Sequence, residues 1–124
     1  MKKMLVIEDD LLTQNVLRKI FRGNYELDVC ESGEEYYEKY SNNKYDIMIM
    51  DVAIKGSKNG LNLIKEIKSA PITSGTPIIC LTAHVQMKMR QTAIESGSDL
   101  FITKPVSIHA LREAVASLLK KNNA

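Results

Sequence analysis

Tyr45-Asp46-Ile47-Met48-Ile49-Met50-Asp51 is an apolar run that stops on a carboxylate. Its four consecutive apolar residues, Ile47 to Met50, show no alternation and predict a strand buried on both faces, as in a parallel sheet. In an open α/β sheet ligands collect outside the carboxyl ends of the strands, where Asp51 would stand. Three other segments end in the same way. Met4-Leu5-Val6-Ile7 runs into Glu8-Asp9-Asp10, Ile78-Ile79-Cys80-Leu81 into Thr82, and Leu100-Phe101-Ile102-Thr103 into Lys104-Pro105. As parallel neighbours these strands bring several acids, one hydroxyl and one ammonium to a single pocket.

Outward from that run the chain alternates strand and helix five times. The first strand covers about residues 3–8. The helix after it, about 11–22, is expected to bury Leu12, Val16 and Ile20, with Leu17 and Phe21 beside them, and to stop at Gly23. Tyr25, Leu27 and Val29 alternate with Glu26 and Asp28, so the second strand is half exposed and belongs at an edge. A polar, Tyr-rich helix covers 33–42, and Gly56-Ser57-Lys58-Asn59-Gly60 forms a loop. Leu61, Ile64 and Ile67 give the third helix its stripe. Pro71 to Pro77 leads into the fourth strand at 78–82, a helix covers 85–96 up to Gly97, and the fifth strand covers 100–103. The last helix, about 107–121, is capped by Ser107 and buries Leu111, Val115 and Leu118. Short connections with this alternation demand right-handed crossovers. Strands one, three and four are fully apolar and therefore central. The expected fold is α/β: a five-stranded parallel sheet in the order 2-1-3-4-5, a flavodoxin-like (βα)5 three-layer sandwich with its switch point between strands one and three.

Composition narrows the function classes. At 124 residues the chain is long enough for one core and too short for two, so a single domain over 1–124 without an output domain is expected. A formal net charge of +2 is too small to imply a nucleic-acid partner. Apolar runs of strand length predict no membrane span, and the N-terminus enters the first strand without the apolar region of a signal peptide. Cys30 and Cys80 are far apart in apolar surroundings, which predicts reduced core cysteines in a cytoplasmic protein. No G-x-x-x-x-G-K-[ST] occurs, so a P-loop enzyme is excluded.

Three carboxylates in one pocket repel, each pair by on the order of 4 kcal/mol at about 4 Å and an effective dielectric near 20. A bound cation or a raised pKa relieves this. Carboxylate oxygens without His or Cys favour Mg²⁺, with Mn²⁺ as an alternative ion. Glu8, Asp9 and Asp51, a divalent ion and Lys104 sum to zero charge, a balance suited to receiving a phosphoryl group. A carboxylate can be the nucleophile, forming an aspartyl phosphate.

Glu8-Asp9, Asp51, Thr82-Ala83 and Lys104-Pro105, each at its strand end, with the spacing of Gly60, Gly97 and Phe101, closely resemble the receiver domain of two-component response regulators. The resemblance covers essentially the whole chain. It implies that Asp51 is phosphorylated by a phosphohistidine on a sensor histidine kinase or histidine phosphotransfer protein. It further implies that Asp9 binds Mg²⁺ directly, Glu8 through water or a hydrogen bond, and the Ala53 backbone carbonyl completes the shell. Lys104 would pair with Asp51 and then with the phosphoryl group, Thr82 would bond a phosphoryl oxygen, and Phe101 would switch rotamer with Thr82. A cis peptide before Pro105 is common in such domains. The implied role is signalling phosphoacceptor, with an unknown downstream protein target and no enzymatic turnover of a small molecule.

The sequence departs from the family pattern at Glu8, one methylene longer than the usual Asp, and in a loop after Asp51 that lacks the frequent Met-Pro step. Competing readings stand beside the resemblance. Glu8-Asp9-Asp10 also suits a helix N-terminus, and Asp10 needs no other role. Thr82 suits a helix cap, and His84 suits modulation of phosphoryl lifetime better than phosphotransfer. An aspartate-nucleophile phosphatase usually has a second Asp where Ala53 stands. A receiver fold kept only for interaction, or one excised from a hybrid kinase or multidomain regulator, is the alternative function. In the helix at 85–96, Val85, Met89 and Ala93 are expected to pack on the sheet, leaving Met87 and Ile94 opposite as a candidate partner surface.

Overall fold

Continuous apolar runs place three strands at the centre of the sheet. The computed structural model describes residues 1–52, 59–83 and 87–122, apart from the side chains of 87, 88 and 122. Its strands are β1 (Lys2–Ile7), β2 (Tyr25–Cys30), β3 (Ile47–Met50), β4 (Ile78–Thr82) and β5 (Leu100–Thr103). All pair in parallel in the order β2-β1-β3-β4-β5. β3 and β4 are buried along their whole length, as four and five unbroken apolar or uncharged residues require, whereas β2 is mostly half-buried at its edge.

The helices are α1 (Leu11–Phe21), α2 (Gly33–Glu35), α3 (Gly60–Ser69), α4 (Met87–Glu95) and α5 (Ile108–Asn122). One core layer joins β1, β3 and β4 to α1 and α5 through Val6, Ile49, Leu17, Phe21, Leu111 and Val115. The opposite layer packs Leu5, Met48 and Met50 against Leu63, Ile64 and Ile67 of α3. Helices on both faces of a parallel sheet make the three-layer sandwich.

Caps explain where helices begin. Asp10 accepts from Thr13 N at 2.9 Å and from Thr13 Oγ1 at 2.7 Å, which holds its carboxyl below the usual range. Asn59 Oδ1 accepts from Asn62 N at 2.9 Å, and Ser107 Oγ from Ala110 N at 2.9 Å. Ser32 Oγ accepts from Glu35 N at 3.0 Å while Glu35 reaches back to Glu31 N at 2.9 Å. Beyond that start, the Tyr-rich segment is not the uniform helix its composition predicts. It widens into a π-helical turn over Tyr36–Tyr40. Tyr36 enters the core, Tyr37 donates to Glu66 of α3, and Tyr40 reaches the Val29 carbonyl at 3.5 Å.

The stripe expected on the first helix is wrong in part. Leu12 and Val16 are 73% and 44% exposed, and the buried residues of α1 are Gln14, Leu17, Ile20 and Phe21. Two apolar rows compete on this helix. The row carrying Phe21, the bulkier anchor, faces the sheet, and rotation by about 100° per residue turns Leu12 and Val16 toward α5. On α5, Leu111 and Val115 are buried as expected, but Leu119 rather than Leu118 is the third buried position, and Leu118 is only partly buried. On α4, Ala93 and Met89 pack with Phe101 as the stripe predicts, and Val85 lies outside the described residues.

At the end of α4, Gly97 has φ +116°, and a Cβ there would stand 2.7 Å from Lys68 Cγ. The Lys68 stem crosses this glycine to put its ammonium 2.7 Å from the Thr76 carbonyl and 2.9 Å from Asp99 Oδ2. Asp99 Oδ2 in turn accepts from Ile78 N at 2.8 Å, so one cluster ties α3 to the starts of β4 and β5. Gly97→Ala is therefore expected to lower stability by about 1–3 kcal/mol from backbone strain alone. A urea midpoint equal to wild type would show that the turn does not need glycine.

Candidate functional site

Register decides which side chains meet. Ile7 pairs with Met50, so Glu8 and Asp51 leave their strands in step on adjacent strands. Thr82 pairs with Thr103, which sets Lys104 immediately past the last rung, and Lys104 N donates to the Thr82 carbonyl at 2.8 Å. The Lys104–Pro105 peptide is cis. All four predicted strand-end residues therefore stand at one edge, about the switch point between β1 and β3.

There the Lys104 ammonium bridges two acids, 2.6 Å from Glu8 Oε1 and 3.0 Å from Asp51 Oδ2. Glu8 and Asp51 are 3% and 8% exposed, while Lys104 and Asp9 are half-buried. Such charge-assisted bonds are strong because little water competes for them. Burial pushes the Glu8 carboxyl above its usual range, and the negative charge of Asp51 adds to this while Lys104 opposes it. Burial alone would lower the Lys104 ammonium, but its bonds to Glu8 and Asp51 prevail and hold it above its usual value. The extra methylene of Glu8 lets its second oxygen accept from Asp10 N at 3.3 Å while the first holds Lys104.

The main chain beneath the acids is tightly fixed. Asp51 N donates to the Ile7 carbonyl at 3.0 Å and Gly60 N to the Val52 carbonyl at 3.0 Å. A Cβ on Gly60 would stand 2.5 Å from the Asp51 carbonyl oxygen, so α3 can start this close to the acid only with glycine there. Glu8 N donates to the Cys30 carbonyl at 2.9 Å, and the buried Gln14 amide donates to the Glu8 carbonyl at 2.5 Å. Sequence reasoning missed Gln14. The available signal was a polar residue three before Leu17 and seven before Phe21, on the buried row of α1.

Thr82 is fully buried, and Phe101 packs with Val52, Cys80 and Ala93. Burial pushes the Cys80 thiol up to about 12, with a further contribution from Asp51. Cys30 and Cys80 are both buried free thiols. Ala53 and His84 lie outside the described residues, as does the side chain of Met87, and Ile94 is 46% exposed on α4. Among the described residues no three His, Cys, Asp or Glu side chains are drawn together closely enough to hold a metal. The strand-end oxygens nonetheless suit Mg²⁺ chemically, since the acids present offer only hard donors. No described helix is long and apolar enough to cross a membrane.

A groove of about 250 Å³ opens beside the site between α1 and α5, with Lys104 and Pro105 at one end and Leu12, Val16 and Ile108 in its walls. It is where the misplaced apolar row of α1 goes.

The family model described as the response regulator receiver domain matches residues 4–116. The chain is 30% identical over 121 residues to the regulatory protein VanRB of Enterococcus faecalis, covering 98% of this chain and 53% of that protein. It is 29% identical to the chemotaxis protein CheY of Halobacterium salinarum, covering 95% of this chain and 97% of that one. The chain spans about half the length of several of the curated relatives it matches. The receiver domain of a Pseudomonas aeruginosa sensor histidine kinase has the same fold, with TM-score 0.86 at 22% identity over 96% of this chain and 98% of that chain; its crystal structure holds a magnesium ion in the active-site cleft.

Removing the ammonium should expose the repulsion it masks. In Lys104→Met the Glu8 carboxyl, which burial already holds above its usual range, loses the bond that opposes that rise, so the folded state binds more protons than the unfolded state. Stability is then retained below the usual carboxylate pKa and lost as pH rises through the raised folded value of Glu8. The expected cost is about 3 kcal/mol near neutral pH, the low end for breaking a buried ion pair, and clearly less near pH 4.5. A destabilisation of equal size at both pH values in urea titrations would contradict the electrostatic account.

Proposed function

The chain belongs to the response regulator receiver domain family, and on that premise we propose that it is a phosphoacceptor switch whose nucleophile is Asp51. The observation that carries this reading is the ammonium of Lys104 shared between Glu8 and Asp51 at the switch point of the sheet. An Asp51 oxygen attacks the phosphorus of a phosphohistidine, the P–N bond breaks, and the imidazole leaves with its electron pair. The donor is a sensor histidine kinase or a histidine phosphotransfer protein.

Each residue of the site has a part in that step. Lys104 orients Asp51 before transfer, then follows the added charge onto the phosphoryl oxygens. Phosphorylation replaces one negative charge with about two, which strengthens the pull on the ammonium. As that happens, Glu8 loses part of its hold on Lys104. Asp9, Asp51 and the Ala53 backbone carbonyl would hold Mg²⁺, or Mn²⁺ in its place, with Glu8 bound through water or a hydrogen bond. The ion would supply charge neutralisation of the phosphoryl oxygens in the transition state. Thr82 donates its hydroxyl to a phosphoryl oxygen. Phe101, packed against Val52 and Cys80, couples that movement to α4 and β5, where Ile94 and Met87 form the output surface for a downstream protein. The chain thus acts as a signalling phosphoacceptor that promotes its own phosphorylation and dephosphorylation.

The α1–α5 groove gives the protein donor a place to sit. Leu12, Val16 and Ile108 are exposed, and the groove ends at Lys104, so an amphipathic helix lying in it brings its own side chains to Asp51. Lys19 and Arg112 flank the groove and favour acidic residues at the edges of that helix.

Intact mass after incubation with acetyl phosphate tests the reading. One phosphoryl group should be added in Mg²⁺, none after chelation, and none in Asp51→Asn. Val16→Asp should keep the acetyl phosphate reaction within about two-fold while slowing transfer from a phosphohistidine protein about ten-fold, the equivalent of 1.4 kcal/mol. An adduct that persists in Asp51→Asn would overturn the assignment of the nucleophile, and equal loss with both donors would overturn the groove as donor seat.

A further inference from the structure

The buried amide of Gln14 has no evident reason to be where it is for packing. It lies on the core row of α1 with Leu17 and Phe21 and is 5% exposed. An apolar side chain of the same length would fill that place without the cost of burying an amide. What the amide does is reach back six residues and donate to the Glu8 carbonyl at 2.5 Å. Glu8 is the first residue beyond β1, so its carbonyl lies past the last paired rung, Ile7 with Met50 and with Cys30. A carbonyl in that position needs a partner once it is buried. Gln14 supplies it from the helix that the same acidic turn initiates.

The consequence falls on Asp9. The Glu8 carboxylate is held by Lys104 and Asp10 N, and its main-chain N–H by Cys30. With the Glu8 carbonyl held by Gln14 as well, the peptide plane between Glu8 and Asp9 is fixed. The direction in which the Asp9 side chain leaves the backbone follows from that plane. We propose that Gln14 is a positioning residue that orients the Glu8–Asp9 peptide and so sets how tightly the acid pair binds a divalent cation. The proposal rests on the phosphoacceptor reading and assigns a residue to it that touches neither the ion nor the phosphoryl group.

Calorimetric titration of the unphosphorylated chain with Mg²⁺ tests this without any phosphodonor. Gln14→Met keeps the length and removes the donor, and Gln14→Asn keeps the amide but withdraws it by one methylene. Both should raise the Mg²⁺ dissociation constant about ten-fold, the low end of what loss of a ligand's supporting hydrogen bond does to metal affinity. Ile20→Val, a packing change at another buried position of α1, should leave it within about two-fold although it also lowers thermal stability. Unchanged affinity in either folded Gln14 variant, or an equal loss in Ile20→Val, would overturn the proposal. Absence of Mg²⁺ binding by the wild-type chain would overturn the phosphoacceptor reading and this inference with it.

Discussion

One ammonium, 2.6 Å from Glu8 and 3.0 Å from Asp51, allows two buried carboxylates to share the end of the sheet. Without that ammonium their mutual repulsion would go unopposed. Lys104 can reach both because β5 ends in register with β4, which sets it immediately past the last rung. The sheet order is thus an electrostatic requirement as much as a packing result. A different order would separate the acids from their counter-charge.

The surrounding backbone protects that arrangement at two levels. Close in, Gly60 lets α3 begin against the Asp51 carbonyl, and Gln14 and Cys30 hold the Glu8 main chain from opposite sides. At the other end of the sheet, Lys68, Asp99 and the Ile78 amide pin the starts of β4 and β5. Strands anchored at the far end can carry a mobile charge at the near end without losing register. A site that must exchange one charge pattern for another needs this rigidity around it.

Much of this was legible in the chain because full burial demands unbroken apolar runs. Met4–Ile7, Ile47–Met50 and Ile78–Leu81 could be nothing but central strands, and the polar residue ending each run marked the site. The alternation at Tyr25–Val29 likewise identified an edge. Other features carry no comparable signal. Leu12–Val16–Ile20 and Leu17–Phe21 are both plausible helix stripes, and only the volume available under α1 decides between them. The π-helical turn at Tyr36–Tyr40 depends on where three tyrosines find partners, which polarity does not encode. Lys68–Asp99 spans 31 residues and has no local mark. Gln14 was the one missed residue with a trace in the sequence, as an amide on an apolar row. Glu8 is longer by one methylene than its usual counterpart, and the structure gives that length a use, since one carboxylate spans Lys104 and the Asp10 amide.

The account depends on Asp51, and neither Glu8 nor Asp9, being the nucleophile among the clustered acids. Borohydride reduction of the phosphorylated chain, followed by peptide mass mapping, reads this directly because an acyl phosphate is reduced to the alcohol at the carboxyl that carried it. Homoserine at position 51 alone is the expected result. Reduction at position 8 or 9, or phosphate recovered on a histidine with position 51 unchanged, would contradict it.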